Sequence, residues 1–315
     1  MRRTFMRVID AAVDSSFNQS QRYLGSASSM SSTRIVQRVG DRLLGWLTCI
    51  PEVRLLWRRS PIAIGSVEMR TRFGGWPRPH YAYGVFHAAE QAKLLGLSGI
   101  SVIEFGVAGG NGLLALQSTA CELARHFGIA VSVWGFDTGT GMPDSSDYRD
   151  LPYVWGGGFY KMDETRLRKQ LLPDTRLVLG DVKETVQELQ NSPYPIGFVS
   201  FDLDYYSSTM AAFTVFDLPQ QTRLPRVYCY FDDIMWPEYA CHNPWTGELC
   251  AIREFNEQHE DKKVAPLHLL RWMRPHAEPW NDHIYVLHDF HHPLYSVNLM
   301  LKRGDDSLMA LASRK

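Results

Sequence analysis

The stretch Ser101-Val-Ile-Glu104-Phe-Gly106-Val-Ala-Gly109-Gly110-Asn-Gly112-Leu-Leu-Ala115 decides the fold. A short β-branched run stops at a cluster of glycines and continues into the helix-forming segment LLALQSTACELARHF. Glycines at such a turn let the backbone approach a ligand, and the helix behind them presents free N–H groups. Further along, VSVWGFD, TRLVLGD, IGFVSFDLD and RVYCYFDD are short runs ending in Gly or Asp, with helix-like pieces such as VKETVQELQ between them. This alternation predicts an α/β, Rossmann-like domain: a central, mostly parallel sheet with helices on both faces. Ligands of such sheets bind at the carboxyl ends of the strands, where this chain carries its acids and glycines.

Two chemistries compete for the glycine turn. Gly110-Asn-Gly112-Leu-Leu-Ala115 satisfies the G-x-G-x-x-A dinucleotide fingerprint, with Asp137 at a distance suited to a ribose, which implies an NAD(P)-dependent oxidoreductase. Glu104 argues otherwise. A carboxylate just before the glycines gives a pyrophosphate nothing, but suits a ligand with an ammonium group, such as the amino-acid part of S-adenosyl-L-methionine. On that reading Glu104, Gly106, Gly110, Gly112, Asp137 and Asp181 form the cofactor site. Asp137, closing the second strand, accepts from ribose hydroxyls. Asp181, in Val-Leu-Gly-Asp, either accepts from the adenine amino group or caps the helix VKETVQELQ.

The fourth and fifth runs end in Phe201-Asp202-Leu-Asp204-Tyr-Tyr206-Ser-Ser-Thr209 and Tyr230-Phe231-Asp232-Asp233. If these strands are neighbours, four carboxylates meet at one edge of the cleft, and their repulsion calls for a cation. With oxygen donors only, Mg²⁺ is favoured, Mn²⁺ or Ca²⁺ being the alternatives.

These motifs resemble a known family. Glu104-Phe-Gly-Val-Ala-Gly-Gly, Asp202-x-Asp204-x-Tyr206-x-Ser-Thr209, Asp232-Asp233 and Ala251-Ile-Arg-Glu-Phe255-x-x-x-His259 look like the macrocin O-methyltransferase family, over roughly residues 80–290. The resemblance implies a class I S-adenosylmethionine-dependent methyltransferase acting with Mg²⁺ on a hydroxyl of a sugar, a glycosylated natural product or another diol. It further implies Asp204, Asp232 and Asp233 as metal ligands with Asp202 beside them, Asp204 counting among the catalytic residues. A base is still needed, and His283 in Trp280-Asn-Asp-His-Ile-Tyr is the candidate, against the plainer reading of a structural histidine. The aromatics near the cleft (Tyr81, Tyr83, Trp134, Tyr205, Tyr206, Trp236, Trp245) are read mainly as core or rim.

The rest of the 315-residue chain is less informative. Its net charge of −1 hides an asymmetry: residues 1–78 hold thirteen Arg, no Lys and five acids, a charge of +8, leaving −9 for the remainder. That balance argues against a nucleic-acid binder while allowing a local anion-binding arm. The expected organisation is an Arg-rich, partly flexible helical extension (1–78), a methyltransferase domain (79–302) and a polar tail (303–315). Residues 15–34 read as a Ser-rich linker, and the following apolar positions to Ile50 as an amphipathic basic helix. That helix packs on the main domain or, as the alternative, touches a membrane surface through residues 34–60. The five cysteines show no CxxC spacing and read as the reduced thiols of a cytoplasmic protein; no run of about 18 apolar residues occurs. Expected partners are a small-molecule or saccharide acceptor and, on the oligomer question, a further copy of the chain. A non-catalytic interaction protein, working through the basic arm, is the remaining alternative.

Overall fold

A computed structural model describes residues 40–41, 44–60 and 62–303. The Ser-rich linker and most of the tail expected at the C-terminus lie outside the described residues. The chain divides into two units, Met1–Trp76 and Pro77–Lys315. In the first, helix α1 (Pro51–Arg58) starts with Pro at its first turn and α2 (Val67–Phe73) is capped by Ser66, whose hydroxyl accepts from Met69 N. Trp57 is buried there and its indole N–H donates to the Ile64 carbonyl at 2.9 Å.

The second unit begins with α3 (Pro79–Leu94), followed by β1 (Gly99–Phe105), α4 (Asn111–Phe127), β2 (Ala130–Asp137), α5 (Glu164–Arg168), β3 (Thr175–Leu179), α6 (Val182–Thr185), β4 (Ile196–Phe201), α7 (Tyr206–Phe213), β5 (Arg223–Phe231), α8 (Gly247–Gln258), β6 (Lys262–Pro266) and β7 (Ile284–Asp289). The strands form one sheet in the order β3-β2-β1-β4-β5-β7-β6. Strands β1 to β5 pair in parallel, while β7 runs antiparallel to both β5 and β6. This is the expected Rossmann-like α/β fold, a mostly parallel sheet, with the two strands β6 and β7 added at one edge. The chain moves outward from β1 in one direction through β2 and β3, and in the other through β4 and β5. The crevice between β1 and β4 is therefore the topological switch point, where open α/β sheets bind their ligands.

What aligns the strand ends is a row of phenylalanines. Phe136, Phe105, Phe201 and Phe231 are register partners on β2, β1, β4 and β5. Their ring centroids are 5.1, 5.7 and 4.8 Å apart in that order. Phe213 of α7 sits 5.1 Å from Phe201, and Phe255 of α8 another 5.1 Å beyond Phe213. Because side chains alternate across a strand, the residues one step earlier, Gly135, Glu104, Ser200 and Tyr230, face the other side of the sheet. There Gly135 meets Leu113 of α4, and the other three meet α3, whose Tyr81 ring lies 5.9 Å from Tyr230 and 5.7 Å from Phe198. One residue after each Phe comes Asp137, Gly106, Asp202 and Asp232, so the packed row delivers three acids and a glycine to one edge.

Among the described residues no helix is long and apolar enough to cross a membrane. All five cysteines are free thiols.

Phe201 is wholly buried at the centre of the row, so truncation leaves a cavity on both neighbours. Phe201→Ala is expected to cost about 3–5 kcal/mol, read as a lowered midpoint in urea titrations followed by near-ultraviolet circular dichroism.

Candidate functional site

The turn after β1 is built by close approaches that only glycine permits. Gly106 has φ +86°, and a Cβ on it would lie 1.7 Å from the Asp202 carbonyl oxygen. Gly110, also in the left-handed region, precedes the first residue of α4 and backs onto Leu167. The turn is held by Asp137: its Oδ2 accepts from Val107 N at 2.9 Å and Ala108 N at 2.8 Å, its Oδ1 from Gly139 N at 2.7 Å. A carboxylate has about four acceptor positions, so Asp137 keeps roughly one for a ligand.

Glu104 is held differently. Its side chain is buried, 1 % exposed, and lies so close to the first turn of α4 that a Cβ on Gly112 would fall 1.7 Å from Oε1. Oε1 accepts from the Tyr81 hydroxyl at 2.6 Å, and that hydroxyl accepts in turn from Ser200 Oγ at 3.0 Å. Oε2 has no hydrogen-bond partner among the described residues. Burial raises the Glu104 carboxyl to about 7, against the Tyr81 hydrogen bond and Arg78, with Asp137 and Asp232 adding to the rise.

Beyond β4 and β5 the backbone ladder continues: Asp202 N donates to Phe105 O and Asp232 N to Phe201 O, each at 3.0 Å. Asp202, Asp232 and Asp233 each present an oxygen within 4.8 Å of the others. Asp204, at φ +58°, donates its backbone N–H to Asp233 Oδ2 at 2.9 Å. Asp232 Oδ1 accepts from the Tyr230 hydroxyl at 2.6 Å. Burial, reinforced by neighbouring negative charges, pushes the Asp202 and Asp233 carboxyls well above the carboxylate range and Asp204 to about 7. A row of acids that retain protons near neutrality is a row short of positive charge. Three converging carboxylate oxygens, with no sulfur or imidazole, fit a hard divalent cation of the Mg²⁺ or Mn²⁺ type.

These groups share one cavity of about 420 Å³, within the size range of small-molecule sites. Its walls carry Glu104, Asp137, Asp202, Asp204, Asp232 and Asp233, with Gly106 and Gly112. Arg78 is the only basic residue lining it among the described residues. Burial alone would lower the Arg78 pKa, but Tyr81, Glu104, Asp202 and Asp232 outweigh it and raise it. Tyr160 closes another side, its hydroxyl pushed up to about 12 by burial and the facing aspartates.

Three expected site residues fall elsewhere. His283 does not line the cavity: it is buried in the turn before β7, with Nδ1 2.7 Å from the Phe231 carbonyl, to which it must donate, and its ring stacks on Tyr230. His283 is therefore not among the residues brought to the cavity wall, and its contacts are those of the plainer, structural reading. Asp181 is likewise off the cavity, and its Oδ1 accepts from Lys183 N at 2.9 Å as the cap of α6, so the capping alternative describes it. Gly110 shapes the turn without lining the cavity. Conversely, sequence reasoning missed Arg78 and Glu248. Glu248, in the first turn of α8, is wholly buried; its Oε2 accepts from Asp233 N at 3.1 Å and its Oε1 has no partner among the described residues. Tyr81, grouped with the core and rim aromatics, proves to hold Glu104.

No family model matches this chain, and no curated protein matches it. Among solved structures, it is similar to CalS11, a calicheamicin methyltransferase, at 21% identity and a TM-score of 0.46, covering 85% of this chain and 95% of that one. The O-methyltransferase NovP is 17% identical with a TM-score of 0.41, over 71% of this chain and 90% of that one. MycE, a methyltransferase of the mycinamycin pathway solved with Mg, S-adenosylhomocysteine and mycinamycin VI, is 12% identical with a TM-score of 0.38, over 82% of this chain and 57% of that one.

A buried acid whose folded-state pKa is raised binds more protons folded than unfolded, so stability falls as pH climbs from its ordinary value to its raised one. For Glu104 that window runs from 4.5 to about 7. Glu104→Gln keeps the Tyr81 hydrogen bond and removes the charge. In the ligand-free protein it is expected to gain about 2 kcal/mol near pH 8 and nothing near pH 4, with a flatter pH profile of thermal melting than wild type.

Proposed function

We propose that this cavity is the active site of an S-adenosylmethionine-dependent O-methyltransferase that works with Mg²⁺ or Mn²⁺ on a hydroxyl of a sugar, a glycosylated natural product or another diol. The observation that carries the reading is one cavity in which a buried, half-satisfied Glu104 stands beside a glycine turn and opposite the Asp202, Asp232 and Asp233 cluster. Glu104 Oε2 suits the ammonium of the cofactor's amino-acid portion. Asp137, fixed by its three N–H donors, keeps an acceptor position for a ribose hydroxyl. Asp202, Asp232 and Asp233 would hold the cation, with Asp204 at the cavity wall beside them. Bound there, a divalent cation supplies the positive charge that lowers the pKa of an acceptor hydroxyl, and the cofactor supplies the electrophilic methyl group.

The transfer breaks the sulfonium–methyl bond, forms an oxygen–methyl bond and releases the hydroxyl proton. Asp204, on the cavity wall beside the cation position, is the carboxylate placed to take that proton. The aspartate walls orient the acceptor, and a vicinal diol matches a cluster able to grip two oxygens at once. Charge also weighs against the nicotinamide alternative, since a pyrophosphate would enter a cavity walled by six carboxylates and one guanidinium. Apart from Arg78, the Arg-rich residues 1–78 have no part in this reading.

Calorimetry with S-adenosylhomocysteine and NADH, with and without Mn²⁺, tests the reading. S-adenosylhomocysteine is expected to bind and NADH not to. Asp232→Asn and Asp233→Asn should keep S-adenosylhomocysteine binding, lose the Mn²⁺-induced rise in melting temperature, and lower methyl transfer to catechol or glycoside acceptors by the order of 100-fold. Undiminished turnover in excess chelator would exclude the cation, and preferential NADH binding would replace the reading altogether.

A further inference from the structure

We infer that Tyr81 is the positioning residue of the cofactor site: it pins one oxygen of Glu104 so that the other is presented to a ligand ammonium, which binds there in exchange for a proton. The inference rests on the cofactor reading above and deepens it.

The geometry is that of a one-sided clamp. Tyr81 comes from the first turn of α3, 23 residues before Glu104, and is wholly buried. Its hydroxyl gives its single proton to Glu104 Oε1 at 2.6 Å and fills an acceptor position with the Ser200 hydroxyl at 3.0 Å. Ser200 is the register partner of Glu104 on the neighbouring strand, so the clamp spans β1, β4 and α3. On the remaining side, Gly112 stands where any Cβ would strike Oε1. The carboxyl is thus closed in on its Oε1 side, while Oε2 stays buried and unpartnered on the cavity.

Every donor that reaches Glu104 is neutral, which decides the electrostatics. Burial holds the Tyr81 hydroxyl far above its ordinary pKa, so it remains a donor at all working pH values. The charged groups acting on Glu104 are Arg78 from the residue before α3, Asp137 from β2 and Asp232 after β5, while Asp202 after β4 feels Glu104 in turn. Burial above all, with Asp137 and Asp232 adding to it against the Tyr81 hydrogen bond and Arg78, holds the Glu104 carboxyl near 7, so a proton is present on it over part of the neutral range. A buried carboxylate without a countercharge is costly, whereas one facing an ammonium is not. Binding therefore converts Glu104–COOH plus ligand–NH₃⁺ into the ion pair Glu104–COO⁻···⁺H₃N–ligand and one proton released to solvent.

Tyr81→Phe keeps the ring that packs near Phe198 and Tyr230 and deletes the hydroxyl's bonds to Glu104, Ser200 and, at 3.5 Å, Arg78 Nη1. The test compares two ligands by calorimetry on the full chain: S-adenosylhomocysteine, which carries the ammonium, and 5′-methylthioadenosine, which lacks it. For wild type, S-adenosylhomocysteine should release close to one proton below about pH 7 and progressively fewer above, measured from the binding heat in buffers of different ionisation enthalpy. 5′-Methylthioadenosine should release none. In Tyr81→Phe, affinity for S-adenosylhomocysteine should fall about tenfold, equivalent to ~1.4 kcal/mol, and the midpoint of its pH dependence should move upward, with 5′-methylthioadenosine unchanged. An equal loss for both ligands would reduce Tyr81 to a packing residue and overturn the inference, as would an unshifted midpoint. If wild type binds 5′-methylthioadenosine but not S-adenosylhomocysteine, recognition of the ammonium is refuted. If it binds neither, the cofactor reading itself fails and takes this inference with it.

Discussion

Like charges packed out of water are the constraint on which this structure turns. Glu104, Asp202, Asp204, Asp232 and Asp233 gather at the ends of three adjacent strands, and Glu248 stands behind them. No fold assembles such a group for its own stability, because each carboxylate loses hydration and gains repulsion. What makes the arrangement tolerable is a floor and a roof. Below, the Phe136-Phe105-Phe201-Phe231 row with Phe213 and Phe255 locks the strand ends in register. Above, Tyr81 and Tyr230 hand neutral hydroxyl protons to Glu104 and Asp232. The remaining deficit is carried as retained protons, which a cationic ligand can replace.

Two acids at equivalent strand ends show how the same residue type is put to opposite uses. Asp137 receives three backbone N–H groups and is the keystone of the glycine turn. Glu104, one strand over and two residues earlier in register, receives a single hydroxyl and leaves an oxygen open. The difference comes from where each sits along its strand. Asp137 closes its strand where the turn folds back over it, whereas Glu104 points across the sheet toward α3, where the available donors are side chains.

That difference also explains how far the sequence could be read. Strands β1 to β5 are legible because each is a short apolar run that stops at an acid or a glycine, and the acids assemble where parallel pairing puts them. The edge strands were not legible: KKVAP opens with two lysines and is five residues long, and β7 joins by antiparallel pairing that a strand-helix alternation does not announce. Residue type at a strand end says nothing of side-chain direction, which is why two readings stayed open for His283 and Asp181. His283 spends Nδ1 on the Phe231 carbonyl, and Asp181 is followed so closely by α6 that its nearest donor is Lys183 N. Tyr81 and Glu248 reach the site from helices 23 and 15 residues distant from their partners, with no local pattern to mark them.

The cavity's charge then bears on what the chain can bind at all. Six carboxylates around one guanidinium repel phosphate-rich ligands and attract cations, so a sulfonium, an ammonium and a divalent metal are chemically of one kind here. On the proposed reading the ammonium would meet Glu104, and the metal would meet Asp202, Asp232 and Asp233. Because these acids act on one another, filling one position eases the ionisation of the rest. On the proposed reading, cofactor and metal would relieve one shared repulsion, so the uptake of each would favour the other.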